Sequence, residues 1–316
     1  MKPASLKIGV DVSSKELVIA SFNDEQGVTH IGNTEASIKR WLAKLPAGST
    51  VGMEATGIYH RLLAKLAFAA GHTVFVLNPK EVAHYLRSLR ARGKTDVLDA
   101  RGIARFVANE TDQLHPYVPS TASQEAVSTL VGRRAQLVKA RAGLRMSMDR
   151  DFATDSTYIA LIKKFKEMIA QIDAQLRSLV AQDTALEARR KTLASIAGVG
   201  PLISAVLATR LNRTRYANSD ALVAAIGYDP RPRESGQYTG KRQLSKRGNP
   251  EERRLLYLAG VSGSRTPAWR PVFDKLIAKG LSKTAAHCII ARKILRVAFA
   301  IWQSNEPFNP AMLGKA

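Results

Sequence analysis

The sequence contains little cysteine, no long apolar run and comparatively few acids. Cys288 is the only cysteine among 316 residues, which excludes an internal disulfide and a cysteine-based zinc site. The six histidines are scattered without metal-ligand spacing, so they predict no zinc centre either. No apolar run reaches the roughly 18 residues that a membrane-spanning helix needs. The opening MKPASLKIGV leads into a strand pattern rather than a signal peptide, and we expect a cytoplasmic protein.

Basic residues greatly outnumber the acids. The chain has 48 Lys and Arg against 26 Asp and Glu, which gives a net charge of +22 and a pI near 10.4. Such an excess repels itself in a compact fold unless a polyanion neutralises it. Nucleic acid is therefore the favoured partner, and an anionic membrane surface is the alternative.

Strand and helix signals alternate over residues 5–110. Three short apolar runs separated by turn residues predict an antiparallel meander, after which helical and strand patterns alternate. The predicted order is β-β-β-α-β-α-β-α, and its last helical part contains two patterns, at roughly 80–90 and 95–109. This order predicts a mixed sheet with helices on its faces, while the rest of the chain is mostly helical. The fold class expected is thus α/β plus all-α.

Two long helical patterns follow at 123–150 and 156–181. Apolar residues in the second pattern repeat at alternating steps of four and three from Tyr158 to Leu179, a heptad seam that needs a partner helix. We predict an antiparallel hairpin whose first helix turns a basic side toward nucleic acid, although a merely solvated face is the alternative. The basic residues of that helix are Arg133, Arg134, Lys139, Arg141 and Arg145.

The stretch SIAGVGPLISA predicts a helix, a tight turn and a second helix. Gly198 and Gly200 permit positive φ, and Pro201 suits the first position of the second helix. The N–H groups at such a helix start can bind a phosphate oxygen. This pattern is typical of a helix-hairpin-helix element that grips the DNA backbone, and a simple helical turn in a core is the alternative.

A basic segment, RPRESGQYTGKRQLSKRGNPEERR, begins at Arg231. Its Gly and Pro residues prevent one continuous helix, and a Ser-Gly pair, Ser235-Gly236, lies among its cations. The segment can hold phosphates, or a serine hydroxyl within it can attack one, with Ser245 as the rival to Ser235. The candidate phosphate-binding residues are Arg231, Arg233, Lys241, Arg242, Lys246 and Arg247.

Four acids occupy informative positions in this basic chain. Asp11 and Glu54 end the first and fourth predicted strands, while Asp96 and Asp99 share one face of the helix at 95–109. Carboxylates that converge at a sheet edge repel one another, and a divalent cation such as Mg²⁺, which takes oxygen ligands, relieves that repulsion. The alternative is that these acids cap turns and helices or form ion pairs with Lys94 or Arg101.

The ordered motifs GVDVSSKEL, EATGIY, KTDVLDA, SIAGVGPLISA, and PRESG followed by LSKRGN resemble one known family. They are similar to the DEDD transposases of bacterial insertion sequences, which include Piv-type DNA invertases and bridge-RNA-guided recombinases. The resemblance covers the whole chain. The acids also match the ribonuclease-H-like fold of Holliday-junction resolvases of the RuvC type.

The resemblance implies a domain organisation and a set of partners. It implies a RuvC-like catalytic domain at 1–120, antiparallel coiled-coil helices at 121–185 and a C-terminal transposase domain at 186–316. It further implies target and donor DNA, a structured noncoding guide RNA, and dimers or tetramers whose active sites are completed between subunits. A bacterial, nucleoid-associated location follows from these partners.

The same resemblance assigns roles to single residues. Asp11, Glu54, Asp96 and Asp99 correspond to the family's Mg²⁺-binding tetrad, and Ser235 corresponds to its nucleophile. Three functions remain open at this stage: a recombinase with a serine nucleophile, a structure-specific nuclease that activates water, and a nucleic-acid-binding protein without catalysis. Protein-linked DNA distinguishes the first from the second, and metal-dependent cleavage distinguishes both from the third.

Overall fold

A computed structural model describes residues 5–24, 27–89, 95–235 and 238–314 of the chain. The chain divides into two compact units, Met1–Pro119 and Ser120–Ala316. The first unit is built around a sheet, and the second consists mostly of helices. Within the described ranges, no helix combines the length and apolar character needed to cross a membrane.

In its described residues the first unit contains five strands and four α-helices, in the order that the sequence patterns predicted. Its elements are β1 (Lys7–Val12), β2 (Glu16–Ser21), β3 (Val28–Gly32), α1 (Glu35–Leu42), β4 (Thr50–Glu54), α2 (His60–Ala69), β5 (Thr73–Leu77), α3 (Pro79–Ser88) and α4 (Asp96–Glu110). The strand order in the sheet is β3-β2-β1-β4-β5. β1 pairs antiparallel with β2, whereas β1, β4 and β5 run parallel, which confirms the predicted mixed sheet.

Glycine lets helix α4 lie directly on the centre of the sheet. A Cβ atom added at Gly9 of β1 would lie 2.1 Å from the backbone nitrogen of Ala104 in α4. A Cβ atom at Gly52 of β4 would lie 2.2 Å from Cγ2 of Val107, one turn further along the helix. Neither position has room for a side chain. The path of α4 is therefore set by main-chain contact at β1 and by close side-chain packing at β4.

The second unit begins with two long helices, α5 (Ala122–Met148) and α6 (Ser156–Ala181). They pack against each other as an antiparallel hairpin, since the phenol of Tyr158 donates a hydrogen bond to Asp149 near the hairpin tip and Arg134 reaches Asp173 further down. All seven residues of the predicted apolar seam of α6 are buried or half-buried. Heptad packing of the coiled-coil type stays a prediction.

The remaining helices of the second unit pack around one apolar core that also receives the lower part of the hairpin. These helices are α7 (Thr184–Ala194), α8 (Pro201–Arg213), α9 (Ser219–Ile226), α10 (Pro250–Gly263), α11 (Arg270–Ala278) and α12 (Lys283–Ser304). Trp269 is fully buried at the centre of this core, and its indole N–H donates a 2.9 Å hydrogen bond to the carbonyl of Ala197. The turn between α7 and α8 is thereby fixed to the core.

The two glycines of that turn behave differently. Gly198 has a φ of +93° and lies against α10, where an added Cβ would be 2.6 Å from Cα of Gly263. Gly200 caps α8 with an extended backbone, φ −81° and ψ 178°, so it does not use the positive φ that glycine permits. An extended N-cap is the usual conformation ahead of a helix that starts with proline.

The basic segment forms a two-stranded antiparallel ribbon. Its strands are β6 (Pro230–Ser235) and β7 (Tyr238–Leu244), paired from Pro230 opposite Leu244 to Ser235 opposite Tyr238. A register shift interrupts the pairing between Arg231 and Arg233. The prediction that no continuous helix forms here is correct, although the regular strand pairing was not foreseen.

Candidate active site

Two of the predicted acids lie at the same edge of the sheet. Asp11 is the fifth residue of β1, and Glu54 is the last residue of β4. The parallel register pairs Val10 with Met53, so the next step along both strands brings Asp11 level with Glu54. Both side chains are half-buried. The carboxyl ends of these neighbouring strands thus carry an acid each.

The other two acids lie in the first turn of α4. The hydroxyl of Thr95 caps this helix by accepting a 3.2 Å hydrogen bond from the backbone N–H of Leu98. Asp96 is exposed and Asp99 is half-buried, whereas Ile103, further along the same face, is buried against the sheet as expected. Negative charge is favoured at a helix N-terminus, where the N–H groups point outward. Lys94, one of the alternative ion-pair partners, lies outside the described residues.

The four acids share one electrostatic environment. The pKa of Asp11 is raised to about 6, chiefly because burial disfavours its charged form, and the charges of Asp96, Asp99 and Glu54 raise it further. A backbone hydrogen bond from Val12 opposes the shift. The sheet and α4 therefore bring the tetrad together closely enough for all three other acids to act on Asp11.

The chemistry of this donor set fits a divalent cation. Four carboxylates offer only oxygen ligands, and a cation between them would offset the repulsion that acts on Asp11. Among the described residues, however, no three acidic, histidine or cysteine side chains form a ready-made metal site. Binding of a cation here therefore requires water ligands, substrate oxygens or small side-chain movements to complete the coordination. Mg²⁺ commonly keeps several water ligands and takes others from substrate phosphates.

Ser235 is the last residue of β6, beside the connection at the tip of the ribbon. Its side chain and Gly236 lie outside the described residues. The rival, Ser245, follows the base of the ribbon, where its hydroxyl donates a hydrogen bond to Asp229 and its backbone N–H donates another, of 3.0 Å, to the carbonyl of the same residue. Ser245 thus has a structural role in fixing the start of β6. Asp229 was missed in the sequence, where only its position ahead of the basic segment could have indicated it.

The basic residues of the ribbon differ in their surroundings. Arg231 is half-exposed and lies 3.6 Å from the carboxylate of Asp229. The exposed side chains are those of Arg242, Lys246 and Arg247. The side chains of Arg233 and Lys241 lie outside the described residues. The exposed cations fit a phosphate-binding surface, and their contact with nucleic acid stays a prediction.

The predicted basic side of α5 requires one correction. Arg133 and Lys139 are exposed and Arg141 is half-buried, which suits a nucleic-acid surface. Arg134 instead makes a bidentate pair with Asp173 of α6, with nitrogen–oxygen distances of 2.6 and 3.2 Å. Only 17% of the Arg134 side chain is exposed, so we assign it to the packing of the hairpin.

Substitutions of the adjacent residues Arg133 and Arg134 should therefore affect different properties, DNA binding in the first case and stability in the second. Arg133→Ala should weaken DNA binding and lower the slope of log affinity against log salt concentration by about 1, with unfolding unchanged. Arg134→Ala should lower the free energy of unfolding by about 1–3 kcal/mol, because Asp173 is left half-buried without its partner. Denaturant unfolding and salt titrations of DNA binding measure both. If Arg134→Ala has wild-type stability and binds DNA more weakly, Arg134 belongs to the nucleic-acid surface after all.

The turn at Gly198 and Gly200 can still receive a phosphate. Gly200 and Pro201 are exposed at the start of α8, and an added Cβ at Gly200 would meet no atom within 4 Å. The N–H groups of the first turn of α8 are thus accessible from this side, as backbone binding of a phosphate requires. Gly198 is instead half-buried and packs against α10, where it supports the turn. The nucleic-acid role of this element stays a prediction.

Comparison with known proteins identifies the class of the chain and then its family. Residues 8–149 match a model of IS110-type DEDD proteins described as "Transposase". Residues 190–274 match a second model, described as "Transposase IS116/IS110/IS902 family". These matches define a transposase. The chain belongs to the IS116/IS110/IS902 family of transposases.

Full-length relatives align over nearly the whole chain. The pilin gene-inverting protein of Moraxella lacunata is 28% identical over 318 residues, which cover 96% of this chain and 97% of that protein. The transposase for insertion sequence element IS1328 of Yersinia enterocolitica is 24% identical over 344 residues, which cover 96% and 98%. Among solved structures, T. thermophilus RuvC in complex with a Holliday junction substrate gives a TM-score of 0.30 at 14% identity, over 36% of this chain and all of that one. That last similarity is too weak to assign the fold.

Proposed function

We propose that this transposase cuts and rejoins DNA strands of an insertion sequence through a covalent bond between Ser235 and a DNA phosphate. The observation that carries the proposal is the shared environment of Asp11, Glu54, Asp96 and Asp99, in a chain whose net charge is +22. Burial and mutual repulsion disfavour the charged forms of acids gathered at one site, and a bound cation relieves that cost. The names of relatives that invert a pilin gene or transpose an insertion element support the same function.

The chemistry balances without an external energy source. The hydroxyl oxygen of Ser235 attacks phosphorus, a serine–phosphate ester bond forms, and the bond from phosphorus to one DNA oxygen breaks. The serine proton is lost as the departing DNA oxygen gains one. A hydroxyl of a second DNA strand then attacks the phosphoserine, which restores the serine and joins the strands. The energy of the phosphodiester is conserved throughout, so no nucleoside triphosphate is needed.

The residues of the chain have separate roles in this reaction. The tetrad would hold Mg²⁺, which when bound supplies a Lewis acid for the phosphate oxygens and makes serine attack easier. The ribbon cations nearest Ser235 along the paired strands, Arg233 and Lys241, would stabilise the added negative charge of the five-coordinate phosphorus. Ser245 is held by Asp229, which supports Ser235 as the nucleophile. The proposal requires that the serine and the tetrad meet at one phosphorus atom in the DNA complex, within one protomer or between protomers.

The partners and domains of the proposal follow the family resemblance. We assign residues 1–120 to a ribonuclease-H-like, RuvC-like catalytic domain, 121–185 to coiled-coil helices and 186–316 to a transposase domain. Asp11 on β1, Glu54 on β4 and the acid pair on α4 support the first assignment. A structured noncoding RNA would select target and donor DNA by base pairing, a division of labour seen in other guided enzymes. A dimer or tetramer would assemble on the DNA.

A second candidate is a Mg²⁺-dependent endonuclease for branched DNA that forms no covalent intermediate. In that enzyme the tetrad activates water and Ser235 only contacts phosphate. The specific observation that favours it is that all four acids lie in the first unit, so hydrolysis would require no residue from the ribbon.

Incubation with end-labelled DNA and co-purified RNA, followed by a denaturing gel, tests the proposal. Protein-linked DNA that forms only with Mg²⁺ is the expected result. Cut strands without protein-linked DNA would favour the endonuclease. Binding that leaves every strand intact with and without Mg²⁺ would contradict both enzymes.

A further inference from the structure

A pocket of about 400 Å³ lies between the base of the ribbon and helix α12 of the second unit. Its interior is apolar, formed by Leu244 at the end of β7 and by Leu281, Cys288 and Ile289 at and near the start of α12. Arg242 and Arg292 also line it. A volume of this order falls in the range of roughly 300–1,000 Å³ that is usual for small-ligand sites.

Arg292 is a half-buried cation in this pocket. Within the described part of the chain it forms no hydrogen bond or ion pair. The acid that acts on it electrostatically, Asp220, is bound to Arg296 by nitrogen–oxygen distances of 2.6 and 3.1 Å. Burial lowers the pKa of Arg292, and the charge of Arg296 lowers it further, as expected for a cation without a counter-ion. An anion in the pocket would remove that cost.

The other charged side chain that lines the pocket, Arg242, is also positive. Arg242 is exposed beside it, and Lys246 is near enough for its charge to act on the thiol of Cys288. A ligand that suits both parts of the pocket has an anionic group for the guanidinium groups and a flat, largely apolar body for the interior. A nucleotide has this composition, with its phosphate and its base.

We propose that this pocket receives one unstacked nucleotide of a nucleic-acid strand bound along the ribbon, with its phosphate at Arg242 and Arg292 and its base against Leu281, Cys288 and Ile289. The proposal rests on the proposed function, because β6, the first strand of the ribbon, ends at Ser235. Pro230 and Ser235 are five residues apart in β6, or about 17 Å at about 3.4 Å per residue. The nucleotide would thus lie a few positions from the phosphate that is cut.

Extracting a base from a duplex costs a few kcal/mol, so an unpaired or already melted nucleotide is the preferred occupant. Such a nucleotide arises when strands are exchanged, and it can come from DNA or from a guide RNA. Both sources offer the pocket the same groups, a phosphate and a base. The pocket would hold the melted strand in register while the ends are rejoined.

Cys288 allows a direct test because it is the only thiol in the chain. Its alkylation by iodoacetamide is followed by mass spectrometry in the full-length protein, free and saturated with single-stranded DNA, RNA of the same sequence, or DNA with abasic sites. Saturation is established by gel mobility shift. At about ten times the dissociation constant, DNA or RNA should slow the alkylation about tenfold. Abasic DNA should protect much less, and comparison of DNA with RNA identifies the source of the nucleotide.

Three variants test whether the protection of Cys288 comes from a nucleotide in the pocket. Arg292→Gln and Ala285→Trp, the second of which fills the pocket, should remove most of the protection while the other contacts retain the nucleic acid. Lys283→Gln, which removes an exposed cation from the first turn of the same helix, should leave protection unchanged. Arg292→Gln should also fold with undiminished thermal stability, so it serves alone if Ala285→Trp does not fold.

The results separate this inference from the proposed function. Equal alkylation of Cys288 in free and saturated protein would overturn the pocket assignment, as would protection that survives in Arg292→Gln or is equal with abasic DNA. Protein-linked DNA measured on the same samples reports the strand-joining chemistry independently. An unprotected Cys288 in a protein that still forms the adduct would therefore reject the pocket alone.

Discussion

Replacing Ser235 by alanine is expected to abolish the covalent protein–DNA adduct and strand joining. Loss of the side chain removes the oxygen that we propose forms the ester, and known serine enzymes lose about 10⁴- to 10⁶-fold in rate when their nucleophile is removed. DNA and RNA binding should remain at wild-type affinity, because the cations of the ribbon and of α5 are retained. Denaturing gels for the adduct and mobility shifts for binding measure the two properties on the same preparation.

Ser245→Ala is the matched control, since it removes a hydroxyl from the same basic segment. This variant should still form the adduct, with a loss of about 1 kcal/mol in unfolding free energy because the hydroxyl no longer bonds to Asp229. The assignment of Ser235 is refuted if the adduct persists in Ser235→Ala and disappears in Ser245→Ala. It is equally refuted if neither substitution affects the adduct.

Asp11→Asn is expected to have the second largest effect. It should reduce adduct formation on the order of 10³-fold at saturating Mg²⁺, the scale seen when one electrostatic element of a transition-state site is removed. Asp11 has this importance because it is the acid on which Glu54, Asp96 and Asp99 all act. The measurement is the adduct yield over a Mg²⁺ titration. A wild-type rate of adduct formation in Asp11→Asn would show that the tetrad has no role in the reaction.

The same substitution should stabilise the metal-free protein. Burial and three neighbouring charges disfavour the Asp11 carboxylate, so its neutral amide analogue should raise the unfolding free energy on the order of 1 kcal/mol after solvent screening. Mg²⁺ should raise the melting temperature of the wild type but not of Asp11→Asn. Asp112→Asn, at an exposed acid of the same unit, is the control for both effects and should change neither. A destabilised Asp11→Asn protein would mean that the carboxylate supports the fold.

Much of the first unit could be predicted from the sequence because its signals are local. Short apolar runs separated by turn residues define β1 to β5, and amphipathic patterns define the helices between them. The parallel pairing of β1 with β4 is expected because two strands and a helix lie between them in the sequence, which gives the long connection that parallel neighbours need. The proximity of Asp11 to the acid pair on α4 is non-local; it was inferred from the strand ends and the shared helix face, and the family's motifs added the roles of the residues.

Other features depend on contacts that no local pattern records. Arg134 and Arg133 are adjacent and chemically identical, yet only the first meets Asp173, which lies 39 residues away on α6. The conformation of Gly200 follows from Pro201 beginning a helix rather than from glycine's freedom. The pairing of the basic segment into a ribbon was hidden because its strands contain Gly, Pro and many charges, which are depleted in most strands. Arg292 gave no signal, since a buried cation without a partner resembles any helical arginine.

The two glycines beneath α4 have a consequence for how this family can diverge. The main chain of α4 contacts Gly9, and the side chains of Val107 and Ile103 contact Gly52. These two contacts determine the direction of α4 and with it the location of Asp96 and Asp99. Aliphatic residues elsewhere in the core can then be exchanged for others of similar volume at a small cost in stability and with little displacement of the acids. Evolutionary drift should be fast in the core around α4 and almost arrested at positions 9 and 52.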